Sequence, residues 1–99
     1  MIAYKLFSKK KDGSIGPLFI NRRQRLAENV WYEAEDHPTK GYAHRPGWHC
    51  TLSPEAPHLS ERGRVWHKVE VRGLEYFKRP ESQGGLWVLA QKLRVLEAV

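Results

Sequence analysis

The chain reads as a mainly β protein of the α+β class, a small curved antiparallel sheet or open barrel with at most one or two short helices. Three observations lead there. Apolar and polar residues alternate in several short runs, glycine and proline dipeptides separate those runs, and no long stretch carries an uncontested helical period. A length of 99 residues suits one core, so a single domain over residues 1–99 is expected. Four tryptophans and a 40% hydrophobic composition favour a folded chain over a disordered one.

Taken in order, the first strand spans residues 2–7, with Ile2, Tyr4 and Leu6 on one side and Ala3, Lys5 and Phe7 on the other. Asp12-Gly13 and Gly16-Pro17 are turn dipeptides, and the apolar triplet Leu18, Phe19, Ile20 follows, so the start of the chain reads as a hairpin with Lys9, Lys10 and Lys11 near its tip. Glu28 to Glu35 alternates with β-branched and aromatic content and reads as a strand ended by HPTKG. Gly47 to Leu52 is expected to turn Trp48, Cys50 and Leu52 toward the core, aiming His49 and Thr51 outward or into a cleft. Ser53-Pro54 resembles a helix start, but Pro57 limits any helix to about one turn. Arg64 to Val71 is the clearest strand and places His67 beside Val65, Val69 and Val71. LEYFKRPESQGG reads as an irregular connection. In the tail, Leu86, Leu89, Ala90, Leu93 and Leu96 fit a helix, yet a strand over residues 92–98 is the preferred reading.

Charge and cysteine content narrow the function. A formal net charge of +6 attracts polyanions, either nucleic acid or the acidic face of a protein that handles it. The basic residues gather as Lys9 to Lys11, as Arg22, Arg23 and Arg25, and as Lys78 with Arg79; solvated, solubilising loops would look the same. One cysteine excludes an internal disulfide. The start MIAYKLFSKKK has its basic residues after the apolar ones, the wrong order for a signal peptide, and no apolar run approaches the roughly 20 residues of a membrane span. The expected setting is therefore the cytoplasm, with no membrane partner.

The segment His37 to His58 holds four of the five histidines, the only cysteine and four of the six prolines. So many ring-constrained residues suit a loop held in one shape, and the site is expected here. Four chemistries fit its residues. Zinc could draw on His37, His44, His49, Cys50, His58 and His67, but the spacing matches no zinc motif, and a buried cysteine beside a core histidine explains Cys50 and His67 more simply; no cofactor and no metal ligand are assigned. Cys50 as a nucleophile conflicts with its burial beside Trp48 and Leu52. An outward His49-x-Thr51 pair with Trp48 could hold a ribose and stack a base, as in a small NAD-dependent ADP-ribosyltransferase, though no partner carboxylate stands out among Glu70, Glu75 and Glu81. Nucleic-acid binding could use Arg22, Arg23, Arg25 and Arg45 on phosphates, with Trp31, Tyr42 or Trp48 stacking on unpaired bases. Phosphate-loop, dinucleotide and paired-carboxylate motifs are absent from the sequence.

On the segments KLF, HPTKG, RPGWHC, APHLS, RVWHKVEV and RPESQGG, most of the chain resembles a group of small uncharacterised proteins encoded by bacteriophages and prophages. These share an amino-terminal strand, a central Gly-aromatic-His motif matched by Gly47, Trp48 and His49, and a short hydrophobic tail. The resemblance carries over no catalytic residue. It implies a binding protein that blocks a host protein or protein–nucleic-acid complex, of the anti-defence type, in the host cytoplasm. The expected binding residues are Arg22, Arg23, Arg25, His44, Arg45, Trp48, His49 and Thr51.

Overall fold

The structure, a computed structural model, describes residues 1–17, 24–34, 47–56 and 59–99. Among the described residues six strands follow one another: β1 (Ile2–Lys9), β2 (Ile15–Gly16), β3 (Trp31–Glu33), β4 (Trp48–Thr51), β5 (Arg64–Lys78) and β6 (Leu86–Ala98), with one 3-10 turn at Glu81–Gln83. All pairings between these strands are antiparallel. The expected mainly β class with minimal helix is what the chain adopts.

Curvature closes the sheet. β1 pairs with β4 and β5, and β6 pairs with the same two, so β1, β4, β6 and β5 form a ring. The ring is completed at one residue pair, Tyr4 opposite Thr51. β2 adds to the far end of β1, while β3 lies beside the second half of β6.

The long β5–β6 hairpin makes the bend. Val71 faces Leu93 and Leu74 faces Ala90, and all four belong to the same core, so the alternation skips a residue at Gly73 and Gln91. Gly73 takes φ of +69°, and a Cβ there would lie 2.9 Å from the Gln91 Cβ, so the corner needs glycine both for backbone and for space. Past this corner, the distal half of the hairpin swings round to meet β4, the way a strand serves two sheets at once.

Apolar residues fill both sides of the wall. Inside the ring, Ala3, Phe7, Cys50, Val69, Val71, Val88, Leu93 and Val95 form the main core, each large side chain contributing roughly 1.5–3 kcal/mol by leaving water. Outside it, Leu6, Trp66 and Trp87 pack with Ala56 and Leu59 of the segment after β4. His67 is buried with the valines as expected, its ring edge-on to Phe7 at 5.6 Å between centroids.

Several boundaries differ from expectation, each for a physical reason. The residues read as an irregular connection after Val71 continue β5 to Lys78, because Gly73 bends the strand rather than ending it. The tail is a strand over Leu86–Ala98, longer than residues 92–98. Its helix-like spacing comes from the skip at Gln91, which puts core positions three apart, at Ala90 and Leu93. β3 is only Trp31–Glu33: Asn29 sits at φ +64°, which breaks the run that began at Glu28. Among the described residues after Ser53-Pro54 there is no helical turn, and the chain makes bends at Leu52 to Pro54. Leu52 is 42% exposed and Thr51 only 3%, the reverse of the expected alternation, because β4 stops at the seam that Thr51 closes. The triplet Leu18, Phe19, Ile20 and the segment HPTKG lie outside the described residues. Among the described residues, no helix is long and apolar enough to cross a membrane.

Candidate functional site

The chemistry gathers where β4 meets the β5–β6 turn. Residues opposite one another across paired strands share a face, so His49 projects on the same side as Leu89, and Thr51, Trp87 and Phe77 follow on that side. Arg79 leaves β5 immediately after Lys78, and its amide donates to the Gly85 carbonyl at 2.7 Å, which fixes the root of its side chain. The guanidinium then lies over the Trp87 ring at 4.5 Å and the Phe77 ring at 5.4 Å. Trp87 is held in turn by its indole N–H, which donates to the Gln83 carbonyl at 2.8 Å.

Arg79 Nη2 stands 3.2 Å from Nδ1 of His49, whose ring also meets Phe77 edge-on. A guanidinium only donates, so Nδ1 accepts and the imidazole proton sits on Nε2. The pair therefore carries N–H groups, those of a guanidinium oriented on two aromatic rings and, with Nδ1 accepting, the Nε2–H of the imidazole, and both side chains also make further interactions. Such a surface matches acceptors, above all carboxylate and phosphate oxygens. Stacking the guanidinium contributes about 0.5–2 kcal/mol and lowers the entropy lost when a partner engages it.

Lys5 supports the same strand from inside. Alternation places it between the fully buried Ala3 and Phe7, and its ammonium donates to the His49 carbonyl at 2.8 Å, near the Trp48 ring. Beyond Tyr4 and Thr51 the two strands diverge, so this carbonyl lacks a partner on β1 and the lysine side chain supplies one. Among the described residues Lys5 has no carboxylate partner. Burial pushes its pKa below the ordinary lysine value; the neighbouring Cys50 opposes this and the Arg79 charge adds to it.

The expected site residues meet different fates. His49 is at the centre. Trp48 is 8% exposed and turned into the ring, where it stacks on nothing outside the protein, and its indole N–H has no partner among the described residues. Thr51 was expected beside His49 as an outward pair, but its hydroxyl is buried at the seam, 2.6 Å from the Ser53 carbonyl and 3.3 Å from that of Tyr4. One proton serves the nearer carbonyl, and the threonine closes the barrel rather than offering itself to a ligand. Arg25 pairs with Asp12 at 3.8 Å by the β1–β2 turn, which adjoins the start of β5, whereas Arg79 adjoins its end. Arg22, Arg23, His44 and Arg45, with His37 and His58, lie outside the described residues.

Cys50 is fully buried and its thiol pKa is pushed up to about 11 by that burial, with Lys5 acting against the rise, so at neutral pH it is an inert thiol. Among the described residues no three His, Cys, Asp or Glu side chains come together as a metal site.

Sequence reasoning passed over Arg79, Phe77, Trp87 and Lys5. Arg79 reads as one more surface cation until a sharp turn folds it back on Trp87. Lys5 left a usable signal: within residues 2–7 it is the one charged residue on the Ala3 and Phe7 side.

No protein-family model, curated protein or solved structure matches the chain.

Proposed function

We propose that this chain is a non-enzymatic binding protein of bacteriophage or prophage origin. It engages an acidic patch on a host protein or protein–nucleic-acid complex of the host cytoplasm and blocks it, in the manner of an anti-defence inhibitor. The observation that carries this reading is Arg79, anchored on Trp87 and Phe77 with its guanidinium against His49. A cation held rigidly on aromatic rings suits a hot spot, because arginine and tryptophan set in place lose little freedom on binding. The net charge of +6 adds long-range attraction toward the same class of partner.

The competing readings find less support. Trp48 faces inward, and both Arg72 and Arg94 lie over Trp31, at 4.6 and 5.2 Å, so neither tryptophan offers a bare platform for unpaired bases. The hydroxyl of Thr51 is committed to backbone carbonyls, which removes half of the pair that a ribose contact would use.

Affinity capture from bacterial lysate tests the proposal, with nuclease-treated and untreated samples run in parallel. A discrete host protein retained after nuclease treatment, and released by rising NaCl, is the expected result. Retention of nucleic acid alone, lost on nuclease treatment, would replace the proposal with direct nucleic-acid binding.

A further inference from the structure

The far half of β5 is an open sheet edge. Its first half lies between β1 and β6, but β1 reaches only to Ile2 opposite Glu70, after which the Val71 amide donates to the Met1 carbonyl at 2.9 Å. From Arg72 to Lys78, among the described residues, β5 is paired with β6 alone. Arg72, Gly73, Glu75, Tyr76 and Lys78 are exposed along it. A row of unpaired N–H and C=O groups is a template for another strand. The hairpin turn shows which groups these are. The Arg79 amide donates to the Gly85 carbonyl at 2.7 Å, toward β6, so alternation turns the main-chain groups of Phe77 and Glu75 to β6 and those of Leu74, Tyr76 and Lys78 outward.

Side chains at this edge supply an independent observation. Tyr76 is 55% exposed, and its hydroxyl donates to Sδ of Met1 at 3.5 Å, itself an exposed residue. Tyr76 lies opposite Val88 and Lys78 opposite Leu86, so Tyr76 and the exposed Leu86 share a face, with Phe77 and Arg79 on the other. Apolar surface left in water beside an unpaired edge marks a docking place. The order of charges along the edge then selects a second copy in one antiparallel register. With Glu75 on the two-fold axis, Glu75 would oppose itself and Arg72 would oppose Lys78. With Phe77 there, Leu74 would meet Pro80, which has no N–H to give. With Leu74 there, the pairing would run through Gly73 at φ +69°. With Tyr76 there, Leu74 meets Lys78 and Glu75 meets Phe77, and no like charges oppose.

We propose that the open edge of β5 pairs with the same edge of a second copy of this chain, antiparallel, with Tyr76 opposite Tyr76 at the two-fold axis. The outward N–H and C=O of Tyr76 bond to those of its counterpart, Leu74 and Lys78 exchange bonds on either side, and the two tyrosine rings cover one another. The sheet thereby runs from one copy into the next. Nothing in this assignment depends on what Arg79 binds, so lysate capture and self-association succeed or fail separately.

Sedimentation velocity of the full chain over a concentration series tests it. A monomer–dimer equilibrium is expected, and Tyr76→Pro weakens it at least about tenfold, because proline removes the N–H at the axis while an outward N–H is not needed for pairing with β6. Circular dichroism of this variant checks that the sheet is kept. Cysteine cross-linking tests the register without proline. Residues facing one another across the axis have Cα atoms about 5.5 Å apart, within disulfide range, whereas the two Lys78 positions lie roughly 13 Å apart along the strands. Tyr76→Cys should therefore give a disulfide-linked dimer under mild oxidation and Lys78→Cys should not, the native Cys50 being buried. A chain that stays monomeric up to about 1 mM, a dimer indifferent to Tyr76→Pro, or Tyr76→Cys linking no faster than Lys78→Cys would overturn the assignment.

Discussion

Lys5 shows how a single side chain can cost the fold stability and still organise a site. Its part-buried side chain gives the ammonium one acceptor, the His49 carbonyl, and no carboxylate among the described residues. Burying an ion costs several kcal/mol even after relaxation, whereas leaving the carbonyl unpaired costs roughly 1–3 kcal/mol, so the desolvation wins. Lys5→Met should therefore raise the denaturation midpoint at neutral pH, by on the order of 1 kcal/mol on these magnitudes; a lowered midpoint would mean that the bond to His49 outweighs the cost of burial. Because burial lowers the folded-state pKa, the unfolded chain binds the extra proton between that value and 10.5, and stability contributed by Lys5 rises with pH through this window.

His67 behaves likewise near neutrality. Burial lowers its pKa below 6.5, while the Glu28 charge and the Val65 backbone act to raise it. The neutral ring is the folded form, so its contribution is complete above 6.5 and is lost as the pH falls from there to the lowered folded value. Thermal unfolding followed as the pH is lowered should show this decline, and His67→Leu should flatten it; an unchanged slope in the variant would assign the decline to other groups.

Among the elements, the β5–β6 hairpin decides the architecture, and its corner is its weakest point. Gly73→Ala has to carry both a left-handed backbone and a Cβ 2.9 Å from that of Gln91, whereas Gly13, at φ +88°, has nothing within 4 Å of an added methyl. Strained positions of this kind cost about 1–3 kcal/mol. Equilibrium unfolding should therefore rank Gly73→Ala well below Gly13→Ala in stability; equal losses would mean that the corner relaxes freely. The same hairpin explains what the amino-acid order concealed. Strands whose faces alternate without interruption, such as Ala3, Lys5 and Phe7 against Tyr4 and Leu6, were legible. A strand that skips a residue was not, because a glycine inside it looks like a terminator and a three-residue spacing looks like a helix. Of the site, His49 was legible as an outward residue on β4. Its partnership with Arg79 joins residues 30 apart through a turn whose geometry no local pattern encodes.

On the scale of the whole molecule, a small closed ring places the Arg79 and His49 cluster at one end of the 15-residue β5. The net charge of +6 is diffuse, and much of the outer face is locally balanced: Lys68 pairs with Glu97, Lys92 with Glu33 and Arg94 with Glu70. The exposed pair Lys92–Glu33 adds little stability, and all three pairs offer little to a partner. What distinguishes the β5–β6 turn is a cation whose position is set by packing. Total charge and local geometry can be separated, because Arg79→Glu and Lys11→Glu alter the net charge equally while Lys11 is an exposed residue of the β1–β2 turn. The decisive measurement is lysate capture after nuclease treatment with these two variants side by side. Loss of the retained host protein with Arg79→Glu and its retention with Lys11→Glu is the predicted outcome; equal loss in both, or retention by Arg79→Glu, would contradict a binding surface built on Arg79, Trp87 and His49.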